Sequence, residues 1–163
     1  MIMKKLLLTL ALCFCALTAS AQNIAVGGRI GSGLQIQGEF QFDNDNYGEG
    51  RFGMSWLSGG GLTVDCTLLY QWEIAKFNLT PGYGEWFVDA GAGVNVGGKA
   101  HYAYVGVAGC AKFGIKLKDL PIKVAIDWTP IFGPEIAYYK KYRASDFYGR
   151  GLANFALSCV YCF

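Results

Sequence analysis

The chain has 163 residues, room for one ordinary domain. Hydrophobic residues make up 53% and charged residues only 16%, against about 25% charged in a typical soluble domain, which excludes intrinsic disorder. Glycine at 23 residues and aromatics at 15% do not suit a helical protein, because both are weak helix formers.

Residues 1–21 read as a secretory signal. Lys4 and Lys5 supply the positive start, Leu6 to Leu17 an apolar run, and Ala19-Ser20-Ala21 a small-residue cleavage site. The run is shorter than the roughly 20 apolar residues that span a bilayer as a helix. Cleavage before Gln22 leaves a single domain, 22–163. Losing Lys4 and Lys5 leaves 12 basic against 12 acidic residues, so the domain carries no formal net charge. A nucleic-acid binder needs a basic stripe, and no such partner is expected. Cys66, Cys110, Cys159 and Cys162 remain, too few to staple a chain with this much apolar content.

Beyond the signal the hydrophobic period is two, which places alternate residues on opposite faces of a strand. Eight segments follow in chain order: 23–31, 34–42, 51–58, 62–74, 86–96, 103–117, 122–132 and 152–163. Leu34-Gln35-Ile36-Gln37 and Ile122-Lys123-Val124-Ala125-Ile126-Asp127-Trp128 show the alternation most clearly. Turn chemistry separates the segments: Ser32-Gly33, the acidic Asp43–Gly50 stretch, Gly59-Gly60-Gly61, Ala75–Glu85 with Pro81-Gly82, Gly97–Tyr102, Lys118–Pro121 and Gly133–Gly151. An all-β, eight-stranded antiparallel up-and-down transmembrane barrel is expected. Eight strands of about 10 residues fit the chain length, and closure removes sheet edges that lipid cannot tolerate.

One face of these strands carries Val26, Ile36, Phe40, Phe52, Leu68, Val94, Val107, Ile126, Leu157 and similar residues, with no charge among them. The other carries ten charges, Arg29, Glu39, Arg51, Asp65, Glu73, Asp89, Lys112, Lys116, Lys123 and Asp127, spaced by Gln, Thr and glycine. Alternation alone fits a soluble barrel with its apolar face inward or a membrane barrel with that face toward lipid. A balanced, glycine-spaced polar face suits a crowded lumen in which opposite charges pair. Aromatics also fall near strand ends. Phe42, Tyr70, Trp72, Trp86, Tyr161 and Phe163 mark one end, and Trp56, Trp128 and Phe132 the other, as interfacial girdles require. The lipid-facing arrangement is therefore expected, with a charge network filling the lumen rather than an open pore.

The signal, the eight alternating strands and the terminal Phe155-x-Leu157-x-Cys159-x-Tyr161-x-Phe163 pattern resemble the small outer-membrane barrels of Gram-negative bacteria, of the OmpX or OmpA-transmembrane type. The stretch Leu117 to Pro130 looks like a segment recurring in such barrels. The resemblance implies an outer-membrane location, contact with lipid and lipopolysaccharide, and an assembly signal at Tyr161 and Phe163 read by the barrel assembly machinery. It also implies a monomer. A difference from OmpX-type proteins is the shortness of the Ser32-Gly33 and Gly59–Gly61 turns.

Chemistry-bearing motifs are sparse. Lipid A deacylases of this architecture place a serine two residues after a histidine; His101 is followed there by Ala103. Cys159-Val160-Tyr161-Cys162 spans three positions of a strand, so its thiols point to opposite faces, and no helix N-terminus lowers a thiol pKa. Glycine runs such as Gly91-Ala92-Gly93 lack the helix that a nucleotide loop needs. No enzyme, metal or cofactor is expected. The expected role is non-enzymatic, in envelope structure or surface interaction, with a lipid-modifying or small-ligand-binding barrel as the alternative and a soluble secreted binding barrel third. The segment with most character is Gly133–Gly151, read as an outer loop in which Tyr138, Tyr139, Lys140, Lys141, Tyr142 and Arg143 contact lipid phosphates or a partner.

Overall fold

The computed structural model of the chain describes residues 23–43, 45–55, 62–99, 102–139, 142–148 and 150–163. The expected signal, Trp56 and His101 lie outside these residues. Ten strand segments occur: β1 (Ile24–Gly31), β2 (Gly33–Gln41), β3 (Asn46–Ser55), β4 (Thr63–Phe77), β5 (Gly84–Lys99), β6 (Tyr102–Leu117), β7 (Ile122–Trp128), β8 (Ile131–Tyr139), β9 (Tyr142–Tyr148) and β10 (Phe155–Cys162). Every pairing is antiparallel. β1 through β7 pair in sequence, β7 pairs with β10, and β10 pairs with β1. The result is a closed, up-and-down barrel with eight walls.

Ten segments make eight walls because two walls are interrupted. β7 and β8 both pair with β6, with Trp128 opposite Ala111 and Ile131 opposite Ala108. Pro130 sits between them and, having no N–H, cannot complete the ladder, although Gly109 still donates to its carbonyl at 2.9 Å. β9 continues the hairpin from β8, with Gly133 opposite Tyr148. A 3-10 turn, Arg150–Ala153, then leads into β10. The sequence reading of Gly133–Gly151 as a loop is therefore corrected: β8 carries the seventh wall beyond the expected end at Phe132 to Tyr139, and β9 returns from it as a β-hairpin. The reading of Asp43–Gly50 as a connection is corrected as well, since β3 begins at Asn46 and pairs from Tyr47 with Gln41. β5 and β6 likewise extend to Lys99 and from Tyr102, so the Gly97–Tyr102 connection is shorter than expected.

The barrel is apolar outside and polar inside. Among the described residues, 28 large hydrophobic ones are exposed, against 19 buried polar or charged residues and 11 buried hydrophobic ones, the reverse of a water-soluble interior. Adjacent residues show the switch: Ile36 is 67% exposed and Gln37 is 0%. Outward aromatics collect at the strand ends. Phe40, Phe42, Tyr70 and Trp72 form a continuous chain of ring contacts, with Phe42 stacked on Tyr70 at 5.7 Å. Trp86 stacks on Phe113 at 5.2 Å, and Tyr161 meets Phe163 edge-on. Trp128 and Phe155 stack at the opposite end. The inward glycines have a steric reason: a Cβ built on Gly93 would lie 1.9 Å from the Leu68 carbonyl oxygen.

Candidate functional site: the charged lumen

Cross-lumen contacts follow from the strand register. Asp127 on β7 lies at the centre of the first group. Arg29 from β1 reaches it with Nε at 3.0 Å from both carboxylate oxygens and Nη2 at 2.7 Å. Thr129 Oγ1 donates to it at 2.9 Å, and Arg51 from β3 approaches at 3.4 Å. The remaining donors of Arg29 go to Gln35 Oε1 and Asn154 Oδ1, each at 3.0 Å. Gln35 in turn donates to Asp65 at 2.6 Å. Arg51 is shared, with Nε 2.6 Å from Glu49, Nη1 2.8 Å from Thr129 Oγ1 and Nη2 3.4 Å from Cys110 Sγ.

Glu49 connects this group to a second. It accepts from Gln71 Nε2 at 2.7 Å and lies 2.8 Å from Lys112 Nζ. Lys112 also reaches Glu39 at 3.0 Å and the Tyr47 hydroxyl at 3.3 Å. Glu39 accepts from Lys123 at 3.2 Å and from Gln37 at 2.9 Å. Tyr47 donates to Asp89 at 2.5 Å, and Lys123 sits 3.7 Å from the same carboxylate. The Lys123 ammonium also stands over the Tyr47 and Phe87 rings, 4.3 and 4.6 Å from their centroids, a favourable cation–π geometry. One polar chain thus runs across the interior from Asp65 to Asp89, with acid and base alternating along most of it. A small apolar cluster, Leu69, Ala108, Cys110 and Ile131, fills the space beside it.

Eight of the ten charges expected in the lumen belong to this chain: Arg29, Glu39, Arg51, Asp65, Asp89, Lys112, Lys123 and Asp127. Glu73 and Lys116 do not. β4 and β6 carry them past the packed interior to the open end, where Glu73 pairs with its neighbour Lys76 and Lys116 is exposed. Sequence reasoning missed Glu49, which joins the two halves of the network, and Tyr47 beside it. Both share the inward period of Arg51 and were available from that spacing alone. Their outward neighbours are Gly48 and Gly50, so the apolar half of the alternation is absent there.

The network can fill and brace the barrel. Buried charges that share several opposite partners couple the strands that carry them, and removal of one member weakens the charge balance of the rest. The two thiols of the C-x-x-C stretch diverge, with Cys159 exposed on the outer wall and Cys162 at the open end. Of the segment expected to contact lipid phosphates, Tyr138, Tyr139, Tyr142 and Arg143 fall on the β8–β9 hairpin backbone near its tip. Their side chains, and Lys140 and Lys141 altogether, lie outside the described residues. Tyr161 and Phe163 form the outward aromatic end of the last strand. Compared with known proteins, the sequence matches no protein-family model and no curated protein.

Proposed function

We propose that this chain is an outer-membrane β-barrel whose role is non-enzymatic, in envelope structure or surface interaction. One observation carries the reading: a closed barrel whose outer wall is apolar while ionised groups are paired inside it. In water, each exposed hydrophobic side chain of the described strands would forfeit on the order of 1 kcal/mol of burial. Acyl chains cover such a wall, and the aromatic contacts at the strand ends suit the two interfaces. The signal-like pattern read in residues 1–21 and the aromatic alternation of β10 support this location and passage through the barrel assembly machinery.

Surface interaction is assigned to the β8–β9 hairpin. The sequence joining β8 to β9 carries Lys140 and Lys141, and β9 carries Arg143, cations suited to the phosphates of lipopolysaccharide. Replacing all three with Gln is expected to weaken lipopolysaccharide association, and unchanged association counts against this part of the reading. The location itself is tested by expressing the chain in a Gram-negative host and fractionating the envelope. The expected product sediments with the outer membrane, resists alkaline carbonate extraction and needs detergent to stay monodisperse. A mature chain that is folded and monodisperse in plain buffer overturns the proposal.

A further inference from the structure

The end of the barrel at the start of β1 and the close of β10 holds a blind cup of about 180 Å³. Glu39, Tyr47 and Phe87, all buried, form its floor, so the charged network closes it from within. Ligand sites recur in barrel mouths. This one is small and, unlike the outer wall, lined by both signs of charge. Three carboxylates (Glu39, Glu73, Glu85) and three ammoniums (Lys76, Lys116, Lys123) face it.

Most of these charges already have partners. Lys123 pairs with Glu39, and Glu73 with Lys76. Lys116 and Glu85 form no ion pair among the described residues, although they are direct register partners across β5 and β6. On its other side Lys116 stands directly opposite Lys123 of β7. Like charges directly opposite each other on neighbouring strands are destabilising; Glu39 and Asp89 pair with Lys123, while Lys116 touches no carboxylate among the described residues. The row Glu85–Lys116–Lys123 therefore sets one exposed carboxylate, with no cation in direct contact among the described residues, beside two neighbouring ammoniums. Neighbouring strands are about 4.8 Å apart, a spacing that suits a molecule carrying both signs of charge a few atoms apart.

We propose that this cup binds an amino-acid-sized zwitterion, its carboxylate between Lys116 and Lys123 and its ammonium toward Glu85. Both ligand charges would be satisfied, and the Lys116–Lys123 repulsion would be relieved. The small volume limits the ligand to a short side chain. This site is separate from the membrane reading of the outer wall, and its test does not depend on where the barrel resides.

The test uses the folded full-length mature chain in a non-ionic detergent, titrated with glycine and alanine and, separately, with acetate and methylammonium, followed by amide chemical-shift changes. Saturable binding of the amino acids is expected, with shifts centred on residues 85, 116 and 123. Acetate and methylammonium are expected to bind at least tenfold more weakly. Lys116→Gln and Glu85→Gln lie at the exposed mouth and are expected to keep the fold, checked by an unchanged circular dichroism spectrum, while each lowers amino-acid affinity at least tenfold. No saturable shift, equal binding of acetate alone, or affinity untouched by both substitutions overturns the proposal.

Discussion

Replacing Arg51 with Met tests the lumen network at its junction. The guanidinium is 2.6 Å from Glu49 and 3.4 Å from Asp127, and it also donates to Thr129 and Cys110. Breaking a buried ion pair by removing one partner costs about 3–5 kcal/mol. Here neither carboxylate is stranded, because Glu49 keeps Lys112 and Gln71, while Asp127 keeps three contacts from Arg29 and one from Thr129. The expected loss is therefore at the low end, about 3 kcal/mol. Arg29→Met removes the principal partner of Asp127 and leaves it only Thr129 and the longer Arg51 contact, so it is expected to cost more, about 4–5 kcal/mol. Combining Arg51→Met with Glu49→Gln removes the charge that Arg51 balanced, and the double variant is expected to be more stable than the sum of the singles by at least about 1 kcal/mol. Equilibrium urea unfolding in lipid vesicles, followed by tryptophan fluorescence, measures the unsubstituted protein, the three single variants and the double variant. A cost below about 1 kcal/mol for Arg51→Met, or strict additivity with Glu49→Gln, refutes a coupled lumen network.

Leu68 is 58% exposed on the outer wall of β4, so Leu68→Lys is expected to cost about 2–4 kcal/mol in a bilayer. Tyr83→Lys, in the turn before β5, is expected to be nearly neutral in the same unfolding assay. Equal effects would contradict a lipid-facing wall. Gly93→Ala forces a Cβ against the Leu68 backbone and is expected to destabilise by about 1–3 kcal/mol, whereas Gly38→Ala points into open space on the outer wall, with nothing within 4 Å. Thermal shifts of similar size for the two variants would remove the steric account of the inward glycines. At the turn before β3, the Asn46 side-chain amide and then the Asp45 and Asn46 backbone N–H groups hold the Asp43 carboxyl below its ordinary value. A depressed folded value means that this turn's contribution is present above the ordinary carboxylate pKa of about 3.9 and is lost as pH falls through the folded value. A side-chain carboxyl titration by NMR that returns an Asp43 value at or above the ordinary one contradicts it.

The barrel was legible because its outward-facing side chains and lumen side chains differ so sharply in polarity. Ile36 beside Gln37, or Ile126 beside Asp127, announces a strand and both of its faces at once. Where one half of that contrast is missing, the pattern fades. β3 begins with Asn46-Tyr47-Gly48-Glu49-Gly50, where glycines take the outward positions beside Tyr47 and Glu49, so it reads as an acidic turn and hides Glu49. β8 continues through Gly133-Pro134, a pair that reads as a turn, yet its pairing with β6 holds as far as Ala137 because the partner strand sets the register. The identity of the interior charges could be read from alternation, but their partners could not. Arg29 and Asp127 are 98 residues apart and meet only through barrel closure. Membership of Glu73 and Lys116 could not be read either, since alternation assigns a face and not a depth along the strand.

The most direct test of the account is which side chains touch acyl chains. In micelles or nanodiscs containing a nitroxide-bearing acyl chain, methyl signals of Ile36, Leu68, Val94, Val107, Ile126 and Leu157 are expected to broaden strongly. Signals of Gln37, Thr67, Gln71 and Asn95 are expected to stay sharp. Broadening confined to the second group, or absent from both, would contradict a barrel that turns its apolar wall to lipid and keeps its charges within.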